Sequence, residues 1–456
     1  MIDFGDVTHV LAGVACGYFS GFIPGVGNLV TLFLVYPFLL DSALLQLLLF
    51  YMALTSVSQF SGSVVATVFG IPGEASSLPA VREGKRMFSR GLGNIAISNA
   101  AMGSVVGSFI ALGMVLLALP YAVELIVKFY NNNVQSVILL IASFSVIVLL
   151  GHNKLQNVFI FALGFLLSCI GQLSVPPTIF AEDYIPYHIF PELLVGLPLF
   201  PVMVSLYVFP VLLQVKSQFK NYETDRAYED NTPTLIHIKE FLKSIRASIR
   251  GSFIGSFIGL VPHVGTSVGT NLSYAYERFL GKRKGTYRKD GDIKSLVSAE
   301  TSNNATNMTG LMPLLLIGIP ISGSETLLLS LIEINAHIIN YTTTIETNLF
   351  LHLCVWFVIV NAIGLILCWP AVRYVNVLQK INMNYMLIGT GILLIGLVLY
   401  TGSLDYDMWY HFLVMLILLP LGYLLRKTEP LVLMIAFMLQ DKILEAFYAF
   451  YQINLS

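Results

Sequence analysis

Four short breaks interrupt the apolar segments of this sequence, and hydroxyl and amide side chains gather around each of them. No Lys or Arg lies in the broken segments 13–73, 251–277 and 295–325. A helix that starts after such a break presents unpaired N–H groups and the positive end of its dipole, so an anion can bind there without a buried cationic side chain. The sequence therefore predicts substrate-binding residues at Pro24, Gly25, Gly27, Asn28, Ser58, Pro72, Gly73, Ser76, Pro262, His263, Gly265, Thr266, Asn303, Asn304, Pro320 and Ser322.

Three acidic residues near the breaks, Glu300, Glu74 and Glu325, are the candidates for ion coupling. Ionisable groups at membrane depth are costly, so a functional role is the default hypothesis for them. Glu300 precedes a run of amides and could bind a proton or, with Asn303 and Asn304 nearby, a Na⁺ ion. For Glu74 and Glu325 the alternative is a solvated position at the mouth of a loop.

A structural interpretation of the same polar residues stays open. Most Ser and Thr side chains in membrane helices serve in helix packing. His263 is either a neutral donor, a pH-sensitive cation or simply a packed or solvated side chain. The concentration of polar residues around four breaks favours binding over packing for the cluster as a whole.

The breaks occur in the same order in the two halves of the chain. Segment 13–27 contains glycines four residues apart followed by Pro24, and it matches segment 251–265 at seven of fifteen positions with an offset of 238. The second break repeats with an offset of 248, so that Pro72 corresponds to Pro320. Glycines at this spacing let membrane helices approach closely. Two broken segments in corresponding places of two halves indicate the binding site of a secondary transporter.

The composition is that of a membrane protein. The chain has 456 residues, of which 56% are hydrophobic and 11% charged, and its mean hydropathy is +0.77. Recurrent apolar runs predict an all-α polytopic membrane protein with two inverted-topology repeats, each a Gly/Pro-broken hairpin plus about five crossings. The predicted domains are the first transmembrane repeat at 1–215, a cytoplasmic linker with a basic amphipathic helix at 216–250, and the second transmembrane repeat at 251–456.

The distribution of basic residues predicts the topology. Lys and Arg concentrate in loops 82–90, 216–250 and 278–294, which are expected on the cytoplasmic side. The N-terminus, the loop at Asp41 and segment 173–190 lack basic residues and are expected outside. The loop between the two breaks lacks basic residues in the first half and is basic in the second half. The loop after the second break shows the reverse, as inverted repeats require.

The sequence contains neither a Walker motif nor an H-E-x-x-H motif. We therefore expect no enzyme, no cofactor, no metal centre of His and Cys and no nucleic-acid partner. The coupling ion, Na⁺ or H⁺, is the only small ligand expected besides the solute. The rival classes are a passive anion channel, which would pass solute without ion coupling, and a membrane enzyme or assembly scaffold.

Six segments, taken together and in order, resemble a known family, the large membrane subunit of tripartite tricarboxylate transporters. They are Gly21–Gly27, Phe69–Gly73, Arg82–Gly93, Gly259–Gly265, Glu300–Ala305 and Gly318–Pro320. The resemblance implies import of carboxylates across a bacterial inner membrane, coupled to an ion gradient. It also implies two partners, a small membrane subunit and a periplasmic solute-binding protein. His263 and Ala299 depart from the family pattern, so a divergent member carrying a non-carboxylate solute is the alternative.

Overall fold

The computed structural model describes most of the chain, and within the described part the protein is helical. The described residues are 4–23, 27–70, 75–129, 132–149, 153–170, 196–219, 234–261, 265–320, 322–335, 349–371, 383–404 and 407–453. No β-strand occurs in these ranges. The predicted all-α class is confirmed.

The helices follow one another with short connections wherever the structure describes both neighbours. They are α1 Phe4–Phe22, α2 Gly27–Val35, α3 Leu44–Phe69, α4 Lys85–Phe88, α5 Gly93–Phe129, α6 Asn132–Leu149, α7 Lys154–Ser168, α8 Leu199–Met203, α9 Phe209–Phe219, α10 Thr234–Gly259, α11 Gly265–Arg283, α12 Ile293–Ile317, α13 Gly323–Ile334, α14 Leu349–Ala371, α15 Met383–Leu404, α16 Met408–Leu425, α17 Pro430–Met438 and α18 Gln440–Ile453. Short 3₁₀ turns at Tyr36–Phe38 and Ala75–Ser77 and π-helical turns at Ala80–Gly84 and Val204–Val208 complete the described elements.

Four of the described helices are long and apolar enough to cross a membrane. They are α3, α5, α14 and α16. This finding supports the predicted membrane protein, while the number of crossings and the inverted repeats stay predictions.

The chain divides into two compact units. Unit 1 contains Met1–Lys128 and Gln218–Met386, and unit 2 contains Phe129–Ser217 and Leu387–Ser456. Each unit therefore combines residues from both halves of the sequence. All four predicted breaks belong to unit 1.

In unit 1, helix α1 packs along α3 at the first glycine ladder. A Cβ atom added at Gly13 would lie 2.5 Å from the carbonyl oxygen of Phe50, and one added at Gly17 would lie 2.5 Å from that of Leu54. These distances are far below van der Waals contact, so the two backbones touch directly where the ladder predicts close approach.

Helix α10 packs along α12 in the same manner. Gly251 faces the backbone of Ser298, and Gly255 faces that of Ser302. These contacts correspond to those of α1 and α3 by the offsets found in the sequence, 238 for the glycines and 248 for their partners.

Helix α10 is continuous through the position where the sequence analysis divides the linker from the second repeat. It runs from Thr234 to Gly259, so the boundary at 250/251 falls inside a helix. The composition changes there from basic to apolar, but the helix continues through Gly251. The missing side chain of Gly251 lets α10 lie against α12.

Helices α3 and α12 form the buried centre of unit 1. Both are buried along nearly their whole length. In α12 this burial includes a long polar run, Ser298–Asn307, in which every residue is buried. Buried polar groups need partners inside the protein or a ligand, so the surroundings of α12 are where a site is expected.

Unit 2 is built around α7, α17 and α18. Gly164 of α7 lies against the backbone of Leu433 in α17, and Ser168 donates to Gln440 at 3.2 Å. The segment near 430–450 is two helices, α17 and α18, which meet at Leu439.

Candidate functional site

The second break of each half ends its helix with the same backbone device. Gly70 follows α3 with φ 69° and ψ 26°, and Gly318 follows α12 with φ 67° and ψ 25°. Each glycine donates its N–H to a carbonyl four residues back, Ala66 and Leu314 respectively, at 3.0 Å. Left-handed geometry of this kind strains any residue with a Cβ, so these helices stop at glycine.

The second break of the second half leads into a capped helix. Pro320 is buried after the end of α12, and the Ser322 hydroxyl accepts the N–H of Glu325 at 3.2 Å at the start of α13. Ser324 bonds the hydroxyl of Tyr51 in α3 at 2.9 Å. Glu325 is 2% exposed, so the solvated position considered for it is wrong. Its carboxylate lies in the first turn of α13, where the helix dipole favours negative charge.

The first break of each half separates two helices. Helix α1 ends at Phe22 and α2 begins at Gly27, while α10 ends at Gly259 and α11 begins at Gly265. Thr266, the second residue of α11, is half-buried. Seven predicted site residues lie outside the described part of the chain, namely Pro24, Gly25, Pro72, Gly73, Glu74, Pro262 and His263.

A narrow polar cleft lies beside the first break in unit 1. It has room for about one water molecule. We call it the polar cleft, and its lining residues are Ser20, Gly21, Gly27, Ser58, Gln59, Gly62, Ser76, Ser77 and Asn303.

Four of the predicted site residues meet in the polar cleft. They are Gly27, Ser58, Ser76 and Asn303, which come from α2, α3, the turn Ala75–Ser77 and α12. Asn28 lies beside them, because its side-chain carbonyl accepts the hydroxyl of Ser58. The structure thus joins residues of both halves of the sequence, whereas Thr266, Asn304, Pro320 and Ser322 do not line this cleft.

Three buried oxygen atoms of the polar cleft have no hydrogen-bond partner among the described residues. They are Ser20 Oγ, Gln59 Oε1 and Asn303 Oδ1, and their side chains are at most 5% exposed. Buried polar atoms are normally bonded. Each of the three is an oxygen atom of the type that hard cations bind.

Glu300 lies one turn from the polar cleft. It precedes Asn303 by three residues on α12, which places both on the same side of the helix. The carboxylate is 1% exposed and accepts the hydroxyl of Ser63 at 2.5 Å. Its other oxygen has no partner among the described residues. Asn304 uses its amide on the Glu300 carbonyl at 3.3 Å. A buried carboxylate with one donor is costly as an anion unless a cation or a proton accompanies it.

Sequence reasoning missed Ser20, Gln59 and Ser63. Ser20 lies within the first glycine ladder and the other two lie in a polar run of α3. The available indication was the polarity of α3 itself, since a buried helix seldom carries so many polar groups without a reason.

These features define a class of protein, a helical membrane protein with paired helix breaks and buried polar residues around them, as secondary transporters have. The chain matches the model of the Tripartite tricarboxylate transporter TctA family over residues 7–435, and it belongs to that family. The resemblance found in the sequence is confirmed.

One relative and the solved structures complete the comparison. An uncharacterized 52.8 kDa protein of Agrobacterium vitis, described by its place in the TAR-I ttuC' 3' region, is 24% identical over 324 residues. The match covers 69% of this chain and 61% of that protein, so the chain spans about three-fifths of the relative's length. No solved structure matches the chain.

Proposed function

We propose that this protein is a secondary active transporter that imports small organic anions of the di- or tricarboxylate type, coupled to a Na⁺ or H⁺ gradient. The observation that carries the proposal is the polar cleft, which has donors for an anion and unpartnered oxygen atoms for a cation. No basic residue is among the described residues that line it.

Donors for the anion come from a helix start and from hydroxyl groups. Helix α2 begins at Gly27 in the cleft, where the positive end of the helix dipole favours a carboxylate. Ser76 and Ser77 line the same space, as does Ser58, whose hydroxyl donates to Asn28 in this conformation. Binding through neutral donors lets the site release its solute more easily than a buried Arg would.

The cation offsets part of the negative charge of the solute and of Glu300. A carboxylate solute beside a buried carboxylate is repelled unless positive charge enters with it. Na⁺ at Ser20, Gln59 and Asn303, or a proton on Glu300, would supply that charge. Coupling follows because neither ligand binds well without the other.

The polar cleft is too narrow for a carboxylate in this conformation. Transport therefore requires the cleft to open, and alternating access would come from one bundle of helices moving against the other. The described lining residues of the cleft all belong to unit 1, so that unit would hold the bound solute.

Membership of the family supports the proposed partner subunits and the proposed membrane location. We propose that the chain acts with a small membrane subunit and a periplasmic binding protein that delivers the solute. We place it in a bacterial-type inner membrane with its N-terminus outside, following the positive-inside rule.

Uptake into proteoliposomes tests the proposal. The chain, together with its partner subunits, is supplied with labelled citrate and smaller carboxylates under an inward Na⁺ gradient and, separately, a pH jump. We expect uptake that collapses when the ion gradient is dissipated. Uptake that continues down the solute gradient without an ion gradient would instead indicate the passive channel. Ion-coupled uptake of a non-carboxylate solute, with no uptake of carboxylates, would overturn the proposed substrate class and leave the proposed coupling intact.

A further inference from the structure

A basic cavity lies in unit 1 away from the polar cleft. It has a volume of about 280 Å³ and lies between the basic part of α10, the end of α11 and the start of α12. Cavities that bind small molecules begin at about this size. We call it the basic cavity, and its charged lining residues are Lys243, Arg246, Arg250, Glu277, Lys284 and Lys294.

The basic cavity has a strong excess of positive charge. Five basic side chains face one carboxylate, a formal excess of four positive charges. Glu277 is itself neutralised by Arg250, which donates to both of its oxygens at 2.7 and 2.8 Å through Nη2 and again at 3.0 Å through Nε. The carboxylate therefore does not oppose an anion in the cavity.

Three basic residues are left for a ligand. Lys243 pairs with Glu240 at 2.5 Å. Arg246, Lys284 and Lys294 have no ion-pair partner among the described residues. They come from three different helices or their ends, and this convergence is what distinguishes a cavity from a charged helix face.

Apolar side chains continue from the basic cavity along α10. Leu242 lines the cavity and is 60% exposed, and Ile249, Phe253 and Phe257 are exposed further along the helix. The spacing of the last three places them on one side of the helix, next to one another. An exposed apolar patch of this kind marks a surface that contacts lipid or another protein.

Helix α11 has a similar exposed side. Leu272, Tyr276 and Phe279 are exposed, and Leu280 lines the cavity. The basic cavity thus lies at the charged ends of two neighbouring helices whose exposed apolar sides run away from it. An anionic headgroup attached to acyl chains has the same division into charged and apolar parts.

We propose that the basic cavity binds the phosphate headgroup of an anionic phospholipid, with its acyl chains along the exposed sides of α10 and α11. A free phosphate ester would use the same cations but not the apolar sides. Basic pockets between membrane helices on the cytoplasmic side bind such headgroups, and this is the side on which the sequence predicts the basic loops. The inference does not depend on the proposed solute or ion.

Short-chain lipids test the proposal in the purified full-length protein. Dihexanoylphosphatidylglycerol, dihexanoylphosphatidylcholine and glycerol 3-phosphate are titrated separately, and the melting temperature is followed by circular dichroism. We expect saturable stabilisation by the phosphatidylglycerol only. Equal stabilisation by glycerol 3-phosphate would show a site for soluble anions, and stabilisation by neither lipid would overturn the proposal.

Matched variants locate the site. Each basic residue near an anionic lipid contributes about a five-fold factor in binding. Arg246→Gln combined with Lys294→Gln should therefore raise the half-saturating lipid concentration about 25-fold. The control, Lys239→Gln combined with Lys289→Gln, changes the same charge at exposed positions that do not line the cavity, and it should change that concentration less than two-fold.

A similar loss of binding in the control would show that the lipid is held by general electrostatic attraction, and it would overturn the proposal that the basic cavity is the binding site. Should the double variant melt at a lower temperature than the wild type without lipid, Lys284→Gln at an exposed position tests the same site, with an expected five-fold effect. An unchanged half-saturating concentration in Lys284→Gln would then reject the proposal.

Discussion

Glu83 and Glu300 are two carboxylates buried in the same unit, and they differ in the number of groups that donate hydrogen bonds to them. Glu83 is 0% exposed and lies in the π-helical turn Ala80–Gly84. It accepts the hydroxyl of Tyr274 at 2.7 Å, the hydroxyl of Tyr287 at 3.2 Å and the N–H of Asp292 at 3.0 Å. Arg86 lies 3.8 Å from the same carboxylate.

Glu300 is almost as deeply buried but has far fewer partners. The Ser63 hydroxyl is its one described side-chain donor, and its second oxygen has none among the described residues. A carboxylate that accepts several hydrogen bonds is stable as an anion. The comparison shows that Glu83 is fully engaged in contacts within the protein, whereas Glu300 has one carboxylate oxygen without a partner among the described residues, which is the difference on which its proposed coupling role rests.

The largest effect is expected from Glu300→Gln. The amide cannot take up the coupling charge, so we expect ion-coupled uptake to fall at least about 100-fold while the melting temperature stays equal or rises, because a poorly compensated buried charge has been removed. Uptake assays and thermal melting measure the two quantities. Coupled uptake at the wild-type level would exclude Glu300 from coupling.

Glu83→Gln is the matched change in the satisfied carboxylate. It weakens three hydrogen bonds to a charged acceptor, and we expect a loss of about 2 kcal/mol of stability. The melting temperature should fall, while the uptake that remains should keep the ion dependence of the wild type. A change of coupling in this variant would mean that the two carboxylates are not functionally distinct.

Asn303→Ala removes one oxygen atom of the polar cleft. If that atom binds Na⁺, the half-maximal Na⁺ concentration for uptake should rise about ten-fold, which corresponds to about 1.4 kcal/mol. Asn99→Ala is the control, since Asn99 of α5 is equally buried and does not line the cleft. Equal shifts in both variants would point to helix packing.

The smallest effects separate the individual donors. Ser63→Ala removes the hydroxyl that donates to Glu300, and Tyr287→Phe removes the longer of the two tyrosine bonds to Glu83. Each bond contributes about 1 kcal/mol. Ser63→Ala should alter the ion dependence of uptake with little loss of stability. Tyr287→Phe should lower the stability and leave the ion dependence of uptake unchanged. Uptake assays and thermal melting measure both quantities. A changed ion dependence in Tyr287→Phe, or an unchanged one in Ser63→Ala, would contradict the prediction.

The all-α class and the glycines at which α3 and α12 end could be predicted from the sequence because these features are local, and the same local pattern made Glu300 a candidate for ion coupling. Gly70 and Gly318 stand before prolines in apolar segments, and Glu300 stands in a polar run where apolar residues are the norm. The family resemblance came from the same local segments.

What the sequence did not predict depends on contacts between distant residues. Glu83 appears in a basic loop, and its partners Tyr274 and Tyr287 lie 191 and 204 positions away. Ser20 and Gln59 reach the polar cleft through the packing of α1 on α3, which fixes the side of each helix that faces inward. The continuity of α10 was missed because its composition changes at residue 250 although its backbone does not.

The buried polar character of α12 also bears on how the protein is made. Helix α12 is not among the helices apolar enough to cross a membrane alone, yet it is buried from Ser295 to Leu316. A segment of this kind partitions poorly into lipid during synthesis unless other helices cover its polar groups. We therefore expect α12 to insert cooperatively, after α3 and α10 are in place, so that biogenesis at the translocon depends on the same close glycine contacts that pack the finished protein.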